Sequence, residues 1–222
     1  MIIAFDIYGT LIDTEGIVGL LARLIGDQAP GFSRMWREKQ LEYSFRRGLM
    51  RSYQDFSVCT AQALLHANLF HGSPLSAGQM DDLMAAYGTL PPFSDANAGL
   101  KSCKEAGHRL FAFSNGRADS VRNLLINARL IDHFEDIVSA DEIRTLKPDP
   151  AVYAHFLKRS GADKSESWLV SSNPFDVLGA ISAGMQSAWI RRSPAAIFDP
   201  WGTEPTLTLC SLSGLAQEIC ST

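Results

Sequence analysis

The sequence has no stretch of about 18 consecutive apolar residues, so no membrane-spanning helix and no membrane partner are expected. It has no basic excess: 20 Lys and Arg stand against 24 Asp and Glu, a formal net charge of −4. Surfaces that track polyphosphates carry the opposite balance, so no nucleic-acid partner is expected. Cysteine is scarce and scattered. Cys59, Cys103, Cys210 and Cys220 form no Cys-x-x-Cys pair and no cluster of histidines accompanies them, which reads as inert thiols in a reducing cytosol. The first residues, MIIAFDIYGT, lack a basic n-region, and Asp6 interrupts the apolar run. No signal peptide is expected and the protein reads as cytoplasmic. There is no internal repeat, no low-complexity segment and no Ser-His-Asp arrangement. The five histidines fall outside every motif and are expected to be solvated or to cap helices.

What remains is an ordinary globular composition: 222 residues, 46% apolar and 20% charged, enough for one large domain or a core with a smaller insertion. Short β-branched apolar runs at 2–7, 109–115, 135–140, 167–173 and 187–192 predict strands. Helical stripes lie between the later ones, at 117–130, 150–161 and 175–185. The second of these begins with Pro150 and ends at Gly161, a proper start and stop. Strands alternating with helices predict an α/β fold with a doubly wound parallel sheet, Rossmann-like. Residues 15–93 break the alternation. They carry only helical periodicity and run out at Pro91-Pro92, which predicts a helical cap inserted into a core made of 1–14 and 94–222. The tail, 193–222, is expected to add one edge element and a last helix.

Ligands of open α/β sheets bind beyond the carboxyl ends of the strands. Asp6, Tyr8 and Thr10 follow the first predicted strand. Ser114, Asn115 and Gly116 follow the second. Lys147 falls between the third and fourth, and Ser171, Asn173 and Asp176 follow the fourth. Singly each has a bland reading: an Asp after a strand is a turn or cap residue, Ser-Asn-Gly a turn, a Lys before Pro a solvated charge. Together, in this order on one sheet edge, they point to a site.

The order Asp-x-Tyr-Gly-Thr-Leu (6–11), Ser-Asn-Gly (114–116), Leu-Lys-Pro-Asp-Pro-x-x-Tyr (146–153) and Ser-Ser-Asn-x-x-Asp (171–176) resembles the haloacid dehalogenase superfamily. With WREKQLEYSF (36–45) in the helical insertion, it resembles the type II 2-haloacid dehalogenases more narrowly. The resemblance implies a hydrolase acting on carbon–halogen bonds, with Asp6 as a nucleophile that forms an ester and no cofactor or metal. It implies a short (S)-2-haloalkanoic acid as the small-molecule substrate, an (R)-2-hydroxy acid as product, and a possible homodimer through the cap. Arg37 and Asn115 would receive the halide, with Phe175 a further wall, and Ser114 would hold the substrate carboxylate. Thr10 and Ser171 would orient Asp6 or Lys147, and Lys147 would be the counter-charge of Asp6. Asp176 and Asn173 would position water, Tyr153 would support them, and Tyr8, Leu41, Phe56 and Phe175 would line an apolar pocket. By residue pattern alone Arg37 reads as a surface charge, and Leu41 and Phe56 as core.

Two positions discriminate among reactions of this superfamily. Where its phosphatases carry a second Asp, two residues after the first, this sequence has Tyr8. An unperturbed phenol, with a pKa of about 10, is a poor proton donor near neutrality. Halide needs no proton to leave. Where the phosphatases carry a Gly-Asp pair that helps bind Mg²⁺, this sequence has Ser171-Ser172, which leaves few acidic oxygens for a hard cation. The alternatives are a Mg²⁺-dependent phosphatase acting on a small phosphate monoester, and an idle binding protein of the same fold.

Overall fold

Strand β1 (Ile2–Phe5) is apolar throughout because both of its faces are covered. Ile3 and Phe5 point into one apolar cluster and Ala4 into another, the period of two that a pleated strand imposes. In the computed structural model, which describes residues 1–222, five helices follow: α1 (Val18–Ile25), α2 (Ala29–Leu49), α3 (Phe56–Phe70), α4 (Ala77–Tyr87) and α5 (Ala96–Glu105). The chain then alternates through β2 (Arg109–Ser114), α6 (Ala118–Asn127), β3 (Asp136–Ser139), α7 (Pro150–Ser160), β4 (Ser167–Ser171), α8 (Pro174–Ser182) and β5 (Gln186–Ile190). It ends with β6 (Leu207–Leu209) and α9 (Leu215–Ser221), the edge element and last helix expected of the tail.

All six strands are parallel, in the order β3-β2-β1-β4-β5-β6. The fold is thus the doubly wound α/β sheet the alternation predicts. The winding direction reverses between β1 and β4, and the carboxyl ends of that pair form the crevice where such sheets bind ligands. Asp6 and Ser171 stand at those two ends.

All five strands predicted from apolar runs are shorter than those runs, β1 and β4 for visible local reasons. After β1 the carbonyl of Ile7 accepts from the N–H groups of Thr10, Leu11 and Ile12, at 3.3, 2.9 and 3.0 Å. This tight loop turns at Gly9, whose φ of +82° favours glycine, and carries Thr10 back over Asp6. After β4, Ser171 Oγ accepts from Asn173 N–H (3.0 Å), and Pro174 starts α8 at once. β3 loses one residue at each end of its run. Helix α5 is an element the alternation does not include. Its buried stripe, Ala96, Gly99, Leu100 and Cys103, has one large aliphatic residue and so a faint signal.

Helices α1 to α4 lie between β1 and β2 in the chain. Their buried residues, among them Leu21, Phe32, Trp36 and Leu64, join the same apolar cluster as Ile3 and Phe5 of the sheet. Phe32 is fully buried and anchors α2; truncating such a ring to alanine costs about 3–5 kcal/mol. The two passages between sheet and helices run side by side. Asp13 N–H donates to Pro91 O and Phe93 N–H to Leu11 O, both at 2.9 Å. No helix is long and apolar enough to cross a membrane. The four cysteines are unpaired. Cys59 and Cys103 are buried, and burial pushes the Cys103 thiol up to about 12; Cys210 and Cys220 are exposed, so burial does not make those two inert.

Candidate active site

Asp6 is nearly buried at the end of β1, and its two carboxylate oxygens differ. Oδ2 accepts from Thr10 Oγ1 (2.9 Å), Ser171 Oγ (3.0 Å) and Asn173 Nδ2 (2.7 Å). Oδ1 has one partner, Lys147 Nζ, at 3.3 Å. The three donors arrive from the loop after β1 and from the β4–α8 turn. Asn173 stands at the cap position of α8 yet does not cap it. Its amide donates to Asp6 and to Tyr8 O (3.1 Å). A helix start that forgoes its own cap marks a side chain employed elsewhere.

Lys147 is fully buried. Its ammonium donates to Asp176 Oδ2 (2.7 Å) and Phe113 O (2.9 Å) besides Asp6, and lies 4.0 Å from the centre of the Phe113 ring. Its own backbone N–H is held by Asn115 Oδ1 at 2.7 Å. Asp176 Oδ1 accepts from Tyr153 OH at 2.8 Å. That contact needs Gly179, where a Cβ would lie 2.1 Å from the Tyr153 hydroxyl oxygen. Burial raises the Asp176 carboxyl, the Lys147 ammonium opposes the rise and the Asp6 charge adds to it, leaving the carboxyl pushed up to about 6. Two carboxylates share one ammonium here, and burying them together is costly.

A second cation, Arg37, stands half-buried on α2 and makes no ion pair with either carboxylate. Nη1 donates to Gln40 Oε1 (2.6 Å) and Nη2 to Asn173 Oδ1 (3.2 Å). Both acceptors are neutral amides, so the guanidinium keeps its charge free for an anion. Asn173 thereby bridges the helix and the sheet edge, accepting from Arg37 and donating to Asp6. A Cβ on Gly9 would lie 3.9 Å from Arg37 Nη2, which puts the guanidinium against the loop after β1.

Tyr8 stacks on Tyr87 (centroids 5.5 Å, 22° between planes) and approaches Phe56 (6.4 Å). Burial and the neighbouring Tyr87 push its phenol well above the usual tyrosine range, which makes it a still weaker acid than its type suggests. Gly116 borders the same ring, since a Cβ there would lie 3.8 Å from Tyr8 Cε2. Ser114 Oγ accepts from Gly116 N–H at 3.1 Å and keeps its own proton for another acceptor. Leu41 lies one turn beyond Arg37 on α2, half-buried. Phe175 packs edge-on against Phe45 of α2 at 4.9 Å. Neither Leu41 nor Phe175 bonds to the Asp6 network. Between α2 and the 146–150 segment a cleft of about 420 Å³ reaches Lys147.

The sequence gives no sign of four residues the geometry brings in. Gln40, Thr60 and Tyr87 join behind Arg37 through hydrogen bonds of α2, α3 and the end of α4. Arg192 donates to Thr10 O (2.6 Å) and pairs with Asp95 (2.7 Å), bracing the loop after β1 from the far side. All are common residue types whose meaning comes from packing. The histidines stay out of the site, but His108 is buried rather than solvated. It precedes β2 against the last helix, its Nε2 3.6 Å from Cys220 Sγ and its Nδ1 without a partner. His71 packs between Phe32 (5.4 Å) and Phe70 (5.3 Å).

This fold, with a carboxylate at the end of β1, a lysine from the loop before α7 and a second acid in the first turn of α8, defines a class. The chain belongs to the haloacid dehalogenase-like hydrolases, whose family model matches residues 1–184. Within that class it is 35% identical over 215 residues to the (S)-2-haloacid dehalogenase of Pseudomonas sp. (strain YL), spanning 97% of this chain and 92% of that one. It is 34% identical over 217 residues to haloacetate dehalogenase H-2 of Moraxella sp. (strain B), spanning 98% and 96%. Its structure is similar to that of the L-2-haloacid dehalogenase from Xanthobacter autotrophicus with chloropropionic acid covalently bound. There the TM-score is 0.90 and the identity 29%, over 100% of this chain and 98% of that chain.

Proposed function

We propose that the protein hydrolyses the carbon–halogen bond of short (S)-2-haloalkanoic acids, giving halide and the (R)-2-hydroxy acid. The observation that carries this reading is the asymmetry of Asp6. Oδ2 is saturated with three donors, while Oδ1 has one long contact, and Arg37, bonded only to neutral amides, reaches the same carboxylate group through Asn173. The names of the relatives, which specify (S)-2-haloacids and haloacetate, support the substrate class.

Oδ1 attacks C2 from the side opposite the halogen, and the carbon–halogen electron pair leaves with the halide towards Arg37 and the free amide Nδ2 of Asn115. The product of this step is an ester of Asp6 with C2 inverted. Oδ2 is then the ester carbonyl oxygen, and water attacks the carbonyl carbon. The negative charge that develops on Oδ2 meets donors already in place, the arrangement that stabilises tetrahedral intermediates best. Asp176 takes the proton of the water, with Lys147 as its counter-charge and Tyr153 fixing its other oxygen. Collapse expels the hydroxy acid oxygen from the Asp6 carbon, and that oxygen takes up the proton held by Asp176. The C2–O bond survives, and the Asp6 carboxyl gives its remaining proton to solvent, which regenerates the carboxylate. Ser114 holds the substrate carboxylate, and Tyr8, Leu41, Phe56 and Phe175 keep water from the first step.

Residues 15–93 act in this account as a cap over the sheet edge. A second copy of the chain is the expected partner, supported by Leu65, Leu69 and Phe70, which α3 leaves exposed. The unpaired cysteines support a cytoplasmic setting. The phosphatase alternative is disfavoured by Tyr8 and by Ser171-Ser172, which put hydroxyls where a metal-binding acid would be needed. A halide-release assay tests the reading. It uses chloroacetate, fluoroacetate and both enantiomers of 2-chloropropionate, with and without chelator. Release from the (S) enantiomer, indifferent to chelator, is expected. Chelator-sensitive phosphate release from a monoester, without halide release, contradicts it.

A further inference from the structure

Gln40 is almost completely buried, one turn from Arg37 on α2, and its amide can face only one way. Thr60 Oγ1 donates to Phe56 O, four residues back in α3, at 2.9 Å. Its proton is therefore spent, and towards Gln40 it can only accept, which it does from Nε2 at 2.6 Å. That leaves Gln40 Oε1 for the guanidinium, and Arg37, which can only donate, meets it at 2.6 Å. Tyr87 OH adds a second donor to the same oxygen at 3.2 Å and stacks its ring on Tyr8. The chain of bonds has one polarity from the α3 carbonyl to the guanidinium.

From this, and resting on the dehalogenation reading above, we infer that Gln40 is a positioning residue for halide departure: it aims Arg37 without neutralising it. A carboxylate in its place would hold the guanidinium as firmly but would pair with its charge, and a paired guanidinium stabilises a departing anion less. A neutral acceptor locked in orientation gives direction and leaves the charge available. Asn173 Oδ1 does the same from the sheet side.

The test compares wild type with Gln40→Glu, which is isosteric, and Thr60→Val, which keeps the shape but unlocks the amide. Halide release in the first turnover is followed with bromoacetate and chloroacetate, and breakdown of the ester is timed separately. Gln40→Glu should slow the first release by roughly tenfold to a hundredfold. The loss should be larger for chloride than for bromide, because the poorer leaving group needs more help, and ester breakdown should be unchanged. Thr60→Val should show a smaller loss of the same kind. A merely structural role predicts equal losses for both halides and in both steps, and that outcome overturns the assignment. Calorimetric titration with bromide separates the two layers of the argument. Weaker bromide binding in Gln40→Glu than in wild type supports the assignment even if no haloacid is turned over, a failure that would count against the dehalogenation reading alone. Unchanged bromide affinity overturns the assignment.

Discussion

The two halves of the site are built differently. On the sheet edge, Asp6, Ser171 and Asn173 sit at or just past strand ends, and Lys147 and Asp176 are buried with them in one hydrogen-bond network. On α2, Arg37 is half-buried and held by two neutral amides. The first half is fixed by backbone topology and mutual charge, the second by how helices pack. The strand-end half should therefore couple chemistry to stability, and the helical half should carry chemistry with little stability attached.

The largest expected effect falls on Asp6. Asp6→Asn should lower halide release by about 10⁴-fold or more, as loss of a nucleophile does, while leaving the fold intact. Retention of more than a few per cent of wild-type turnover, with the substituted amide shown intact by mass spectrometry, would break the comparison at its root. Lys147→Met comes next and acts on both properties. It strands Asp6 and Asp176 together without a cation and should cost about 3–5 kcal/mol of stability in denaturant unfolding. A normal unfolding midpoint would show that the ammonium does not hold this half together. Arg37→Leu sharpens the contrast from the other side. The first halide release should fall by about 10²–10³-fold, with stability changed by no more than about 1 kcal/mol. A large loss of stability there would erase the difference between the halves.

The smallest effect is a pH dependence with opposite signs for rate and stability. Asp176 must be ionised to take a proton from water, so ester breakdown should fall at low pH, with a midpoint below about 6 because esterification removes the Asp6 charge that helps raise this carboxyl. For stability the sign is reversed. The carboxyl is raised in the folded chain, so between about pH 4 and 6 the folded state binds more protons than the unfolded state, and this group's contribution to stability is lost as pH rises through that window. Rapid-quench measurement of ester breakdown against pH, beside unfolding at the same pH values, checks both. Asp176→Asn should flatten the stability slope over that window.

The same contrast governs what could be read from the sequence. The strand-end residues are legible because topology brings successive carboxyl ends to one edge, so Asp6, Lys147, Ser171, Asn173 and Asp176 could be gathered from strand positions and motif order before any distance was known. Arg37 could be singled out only through resemblance, since a helix with Lys39, Arg46 and Arg47 reads as a charged surface. Gln40, Thr60 and Tyr87 carry no pattern. Their meaning is a hydrogen-bond polarity that appears once α2 and α3 are packed. Helix α5 is hidden by a stripe of mostly small residues, of which Gly99 lets Leu212 come close: a Cβ there would lie 2.5 Å from Leu212 Cβ. The burial of His108 follows from the position of α9, which local sequence does not reveal.

One measurement bears most directly on the claim that Asp6 itself strikes carbon. With enzyme in excess over (S)-2-chloropropionate, a single turnover in water enriched in ¹⁸O should give lactate without label, its new oxygen having come from Asp6, and should leave the label in the Asp6 carboxylate. Labelled lactate from that first turnover, with an unlabelled Asp6, would mean that water attacks the substrate directly and that no ester forms.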